Sequence, residues 1–156
     1  MLDNIYLTPH LPEHAQSPLL NITSYMHHTT CLIIDDDPDD QEIFALALEE
    51  VGPSYQCAFA NNATDALAQL QQNAVSPDYI FLDLNMPRIN GLQCLAELKR
   101  MPSTRAIPVV MYSTSSEHHF SSLAMAAGAT AFVSKPSRIS DLVQILKDLF
   151  SRIHQK

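Results

Sequence analysis

Five short apolar runs recur along the chain, each followed by a stretch with helical spacing, and this alternation narrows the possible folds sharply. The runs are CLII at 31–34, YQCAFA at 55–60, YIFLDL at 79–84, IPVVMYS at 107–113 and TAFVS at 130–134. Each has strand length and strand-forming residues. The spacing after them predicts helices over 38–51, 63–73, 91–101, 116–127 and 138–153. Asp37 before Pro38 is start chemistry for the first of these, an N-cap followed by a residue whose missing N–H costs nothing there. In the last, Leu142, Ile145, Leu146, Leu149, Phe150 and Ile153 repeat at three-and-four spacing and mark one buried face. Pro102 and Gly128 end the third and fourth.

Strands alternating with helices imply an α/β protein with a parallel sheet and right-handed crossovers. The first, third and fourth runs are apolar on both faces, as strands covered by helices must be. In such open sheets the site lies beyond the carboxyl ends of the strands. The chain places Asp35-Asp36-Asp37 after the first run, Asp83 at the third, Ser113-Thr114-Ser115-Ser116 after the fourth and Lys135-Pro136 after the fifth. The second ends blandly in Asn61-Asn62.

The stretch IIDDDPDD, residues 33–40, crowds like charges that repel by roughly 1 kcal/mol per pair in water and more where water is scarce. Asp37, Asp39 and Asp40 are accounted for as a cap and as acids favouring the helix dipole. Asp35 and Asp36 remain at the strand end. Hard oxygen ligands there suit Mg²⁺. A lysine and a hydroxyl suit a phosphoryl group with developing charge. An aspartate can itself be the nucleophile. Each feature alone has an ordinary explanation, as cap, loop or surface charge; four strand ends with mutually useful chemistry do not.

Charge excludes some classes. The net charge is −8, all nine Lys and Arg lie from Arg88 onward, and no dense basic stripe marks a nucleic-acid surface. Cys31, Cys57 and Cys94 stand singly in apolar stretches, which reads as buried thiols in a reducing compartment. No apolar run approaches the ~20 residues of a membrane helix. The expected location is cytoplasmic. Residues 1–28 hold Pro9, Pro12, Pro18 and four of the seven histidines without a sustained period, and are expected to form a mobile or loosely packed extension. His27-His28 and His118-His119 are expected to be solvated rather than metal ligands or partner contacts.

From about Thr29 to Ile153 the chain resembles the receiver domain of two-component response regulators. LIIDDDPDD, YIFLDLNMPRING, VVMYSTSS and AFVSKP appear in family order, and the set is far more specific than any one motif. The resemblance implies a (βα)5 flavodoxin-like, doubly wound five-stranded parallel sheet of strand order 2-1-3-4-5, over a receiver domain at 29–156. It implies a phosphorylation-controlled switch rather than an enzyme. Asp83 would accept a phosphoryl group from a sensor histidine kinase or histidine phosphotransfer protein. Asp35, Asp36, Asp83 and the Asn85 backbone carbonyl would hold Mg²⁺. Ser113 and Lys135 would meet the phosphoryl group, and Phe132 would swing between exposed and buried states. A cis peptide would join Lys135 to Pro136. A downstream protein would read the face of the fourth helix, fifth strand and fifth helix, on a monomer or a phosphorylation-promoted dimer. The extension is outside the family pattern, and with no output domain after the last helix the expectation is a stand-alone receiver.

Rival functions fit less well. A Mg²⁺-dependent aspartyl-phosphate phosphatase of the haloacid dehalogenase type needs an acid two residues after its nucleophile, where this chain has Asn85. A flavin carrier would need a Gly/Thr-rich phosphate loop after the first strand. A calcium loop counted from Asp35 puts Asp40 at the required glycine and Leu46 at the closing Glu.

Overall fold

The computed structural model describes residues 27–114 and 118–154. Of the expected extension, only His27 and His28 fall within that range, and both are exposed; the rest lies outside the described residues. Strands and helices alternate as β1 (Thr29–Ile34), α1 (Pro38–Val51), β2 (Tyr55–Ala60), α2 (Ala63–Gln71), β3 (Tyr79–Leu82), α3 (Gly91–Arg100), β4 (Val109–Ser113), α4 (His118–Ala126), β5 (Ala131–Ser134) and α5 (Ile139–His154). The strands form one parallel sheet of order β2-β1-β3-β4-β5. Strand order and helix number match the sequence expectation of a flavodoxin-like fold.

Strand alternation divides the core into two layers. Leu32, Ile34, Ile80, Leu82, Val109 and Met111 face one side, where Ala66 and Leu70 of α2, Cys94, Leu95 and Leu98 of α3, and Ala124 of α4 cover them. Cys31, Ile33, Phe81, Val110 and Tyr112 face the other, under Phe44 and Leu48 of α1 and Leu142, Leu146 and Phe150 of α5. That second layer is aromatic: Phe44 packs 4.6 Å from Phe81 and 5.5 Å from Tyr112, and Tyr55 stacks on Phe150 at 4.8 Å, centroid to centroid. Each fully buried side chain of this size contributes about 1.5–3 kcal/mol.

The helix ends follow local chemistry. Asp37 caps α1 by accepting from the Asp39 N–H at 2.9 Å. Asn62 caps α2 through the Asp65 N–H at 2.8 Å. Asn90 and Gln93 form a reciprocal capping box on α3. Gly128 takes φ +100°, the left-handed conformation after α4. No described helix is long and apolar enough to cross a membrane. Cys31 and Cys94 are buried and Cys57 is half-buried. Burial pushes the Cys57 thiol up to about 11 and Cys94 to about 12, which makes both poor nucleophiles.

One expectation is corrected. No cis peptide occurs among the described residues, so Lys135–Pro136 is trans. Trans is the default even before proline, by roughly 0.5–1 kcal/mol, unless surrounding contacts select the other isomer.

Candidate functional site at the strand ends

Parallel pairing carries β1, β3, β4 and β5 to one rim. The Asp35 N–H donates to Ala60 O, the Asp83 N–H to Ile34 O, and the Lys135 N–H to Ser113 O, at 3.1, 2.9 and 3.0 Å. These backbone bonds extend the ladders just past the strands and hold Asp35, Asp83, Ser113 and Lys135 side by side. Gly91 tightens the arrangement. Its N–H donates to Leu84 O at 2.9 Å, and a Cβ there would collide with the Asp83 carbonyl and Leu84 Cα. Only glycine lets α3 start this close to the turn after β3.

Asp35 and Asp83 are buried, at 1% and 7% exposure, as is Ser113 at 0%. Lys135 Nζ lies 2.7 Å from Asp35 Oδ2, 2.7 Å from Asp40 Oδ2 and 3.8 Å from Asp83 Oδ2. The Asp37 N–H donates to Asp35 Oδ1 at 2.9 Å, and the Asn85 N–H to Asp83 Oδ1 at 3.3 Å. Ser113 contributes a side-chain hydrogen bond to Asp83. Burial raises the Asp83 carboxyl above its ordinary value, opposed by Lys135, Ser113 and the Asn85 N–H. Burial likewise raises Asp35, opposed first by its bond from Lys135. For Lys135, burial pulls downward, but the bonds to Asp35 and Asp40 and the surrounding charge outweigh it and hold the ammonium protonated. Tyr112 lies beneath, its ring centroid 5.3 Å from Nζ.

Carboxylate oxygens of Asp35, Asp36 and Asp83 lie within 4.8 Å of one another. Three hard oxygen donors at that spacing, Asp36 exposed to solvent, fit a divalent cation that keeps part of its water. The sequence-derived set thus assembles: Asp35, Asp36, Asp83, Asn85, Ser113 and Lys135 share one rim. Phe132 lies away from it, half-buried against the α2/α3/α4 layer. His119 is exposed. Ser115, Ser116 and the side chain of His118 lie outside the described residues.

Sequence reasoning missed Asp40 and Gln41. Asp40 had been accounted for by the helix dipole, yet it pairs with Lys135, a residue 95 positions away. Gln41 ties the rim together, its amide donating to Asp35 O at 2.8 Å and Asn61 Oδ1 at 3.1 Å. Neither contact leaves a local signal, because both depend on how α1 docks beside distant strand ends.

Comparisons with known proteins agree with this geometry. The family model for the response regulator receiver domain matches residues 31–147. The phosphate regulon transcriptional regulatory protein PhoB of Pseudomonas aeruginosa is 33% identical over 123 residues, covering 79% of this chain and 52% of PhoB. The chain therefore spans about half the length of that relative. Among solved structures, the phosphorylated cyanobacterial phytochrome response regulator RcpA superposes with TM-score 0.71 at 30% identity, over 78% of this chain and 91% of RcpA. The Mn²⁺-bound response regulator Rcp1 gives 0.70 at 26%, over 79% and 92%. With a buried aspartate, an acidic pair, a hydroxyl and a lysine meeting at the strand ends of a 2-1-3-4-5 sheet, and with the family model spanning nearly all of that sheet, the chain belongs to the response regulator receiver domains of two-component systems.

Proposed function

We propose that this receiver is a phosphorylation-controlled switch and that Asp83 is its phosphoacceptor. The observation that carries the reading is the placement of Asp83: buried, 3.8 Å from the Lys135 ammonium, hydrogen-bonded by Ser113 and beside the acidic pair. An Asp83 oxygen attacks the phosphorus of a phosphohistidine on a sensor kinase or phosphotransfer protein. The P–O bond forms as the P–N bond breaks, and the electron pair leaves with the imidazole, which takes up a proton. Asp35, Asp36, Asp83 and the Asn85 backbone carbonyl would hold Mg²⁺, which when bound supplies positive charge to the phosphoryl oxygens. Lys135 and the Ser113 hydroxyl then pair with the dianion on Asp83.

Movement of Ser113 toward that group changes the space beside Phe132, which packs next to β4. The α4/β5/α5 face thereby reports the state of Asp83 to a downstream protein, as a monomer or a phosphorylation-promoted dimer. The expected setting is the cytoplasm, where the kinase would present its phosphohistidine. RcpA, phosphorylated, and Rcp1, Mn²⁺-bound, lend support as relatives of similar fold. Asn85, where a haloacid dehalogenase would need its acid, leaves the phosphatase reading without a proton donor.

Incubation with acetyl phosphate and Mg²⁺ is expected to add one phosphoryl group by intact-protein mass spectrometry. Asp83→Asn is expected to lower the labelling at least a hundredfold. An unlabelled wild type, or a variant labelled as fast as wild type, overturns the reading.

A further inference from the structure

Lys135 approaches three carboxylates and holds two of them. Its ammonium lies 2.7 Å from both Asp35 Oδ2 and Asp40 Oδ2, against 3.8 Å from Asp83 Oδ2. Asp35 stands in the acidic pair at the end of β1. Asp40 does not: it lies in the first turn of α1, its side chain 27% exposed. A helix-dipole role would have left its carboxylate in solvent, yet it reaches inward to a lysine that is itself 7% exposed. Ion-paired hydrogen bonds of this length belong to the strong class. A lysine has three N–H donors, and Lys135 gives two hydrogen bonds here, one to Asp35 and one to Asp40.

We propose that Asp40 is a positioning residue for Lys135, holding the ammonium toward α1 and competing for it with the group formed on Asp83. The inference rests on the receiver reading above. Lys135 keeps Asp35 as it turns and gives up Asp40, so the first turn of α1 sets part of the balance between the two states of the switch. Asp39 is the internal control. It carries the same charge one residue away and is exposed, and among the described residues Lys135 pairs with Asp35, Asp40 and Asp83 and not with Asp39.

The test uses beryllofluoride, a tetrahedral stand-in for a phosphoryl group on a carboxylate, titrated by calorimetry into the full chain at saturating Mg²⁺. Asp40→Asn is expected to bind it about threefold to tenfold more tightly than wild type, because a charge-assisted competitor is gone. Asp40→Ser, a second neutral variant, is expected to shift the same way. Asp39→Asn is expected to stay within about twofold, as exposed charges do. Asp40→Glu, which restores a carboxylate within reach of Nζ, is expected to return near wild-type affinity. Equal tightening by the Asp39 and Asp40 variants assigns the effect to net charge and overturns the proposal. So does weaker binding by Asp40→Asn, or failure of Asp40→Glu to restore wild-type behaviour. A wild type that binds no beryllofluoride overturns the receiver reading itself, whereas a binding wild type with indifferent variants overturns only the role of Asp40.

Discussion

On the proposed reading Asp83 reacts as an anion, yet it occupies a place where an anion is costly. Burial raises its folded value above the ordinary 3.8, despite help from Lys135, Ser113 and the Asn85 N–H. The folded protein therefore holds this proton more tightly than the unfolded chain does. Ionised Asp83 thus costs stability at neutral pH, and the cost disappears as pH falls through the folded value toward 3.8. Asp83→Asn never ionises. In metal-free buffer, urea unfolding is expected to find the variant more stable than wild type at pH 8, with the gap narrowing on acidification toward pH 4. A gap that is constant, or widens with acid, would show that Lys135 fully compensates the buried charge. On the proposed reading, an acceptor kept slightly unstable in the resting protein gains more from the positive groups gathered around a phosphoryl on it.

The loop between β3 and α3 illustrates how an element holds a residue in place. Gly91 is buried where α3 begins, against the Asp83 carbonyl and Leu84 Cα. Gly91→Ala must move either the helix or the backbone that carries Asp83, at a cost of about 1–3 kcal/mol by urea denaturation. Because the displaced backbone is that of the proposed phosphoacceptor, acetyl phosphate labelling is also expected to slow severalfold; loss of stability with unchanged labelling would show that α3 moves instead. Element existence and type were legible throughout the described residues, down to α1 at Pro38–Val51, because Asp37, Pro38 and the apolar spacing agree. Strand ends were less so. The fourth apolar run began at Ile107 in sequence, but β4 starts at Val109, since Pro108 has no N–H to give the ladder. The third ran to Leu84, but β3 stops at Leu82, where the chain turns out to present Asp83. The rim residues were legible because each ends a strand or follows one within three residues; Asp40 and Gln41 were not, since a helix residue's long-range partner depends on docking angle rather than on local pattern.

At the scale of the molecule, one sheet separates two cores that share no side chains. Leu32 and Ile34 point into one layer while Cys31 and Ile33 point into the other. Period-two alternation along β1 is invisible as amphipathicity because both faces are covered, which is why the sequence reads as one continuous apolar run. The uneven charge, with basic residues confined to the stretch from Arg88 onward, says little about fold but brings Lys135 to an acidic rim built mostly by the earlier half. Cys94 is fully buried in one layer and Cys31 in the other. The chain thereby carries two native timers. Neither thiol can meet a reagent until its own layer parts, so alkylation followed by peptide mass spectrometry records how long each side stays shut. The α1/α5 side has interlocked rings from Phe44 to Phe150, and Cys94 is expected to be modified sooner than Cys31. Equal rates across a range of urea would instead mean that both sides open together.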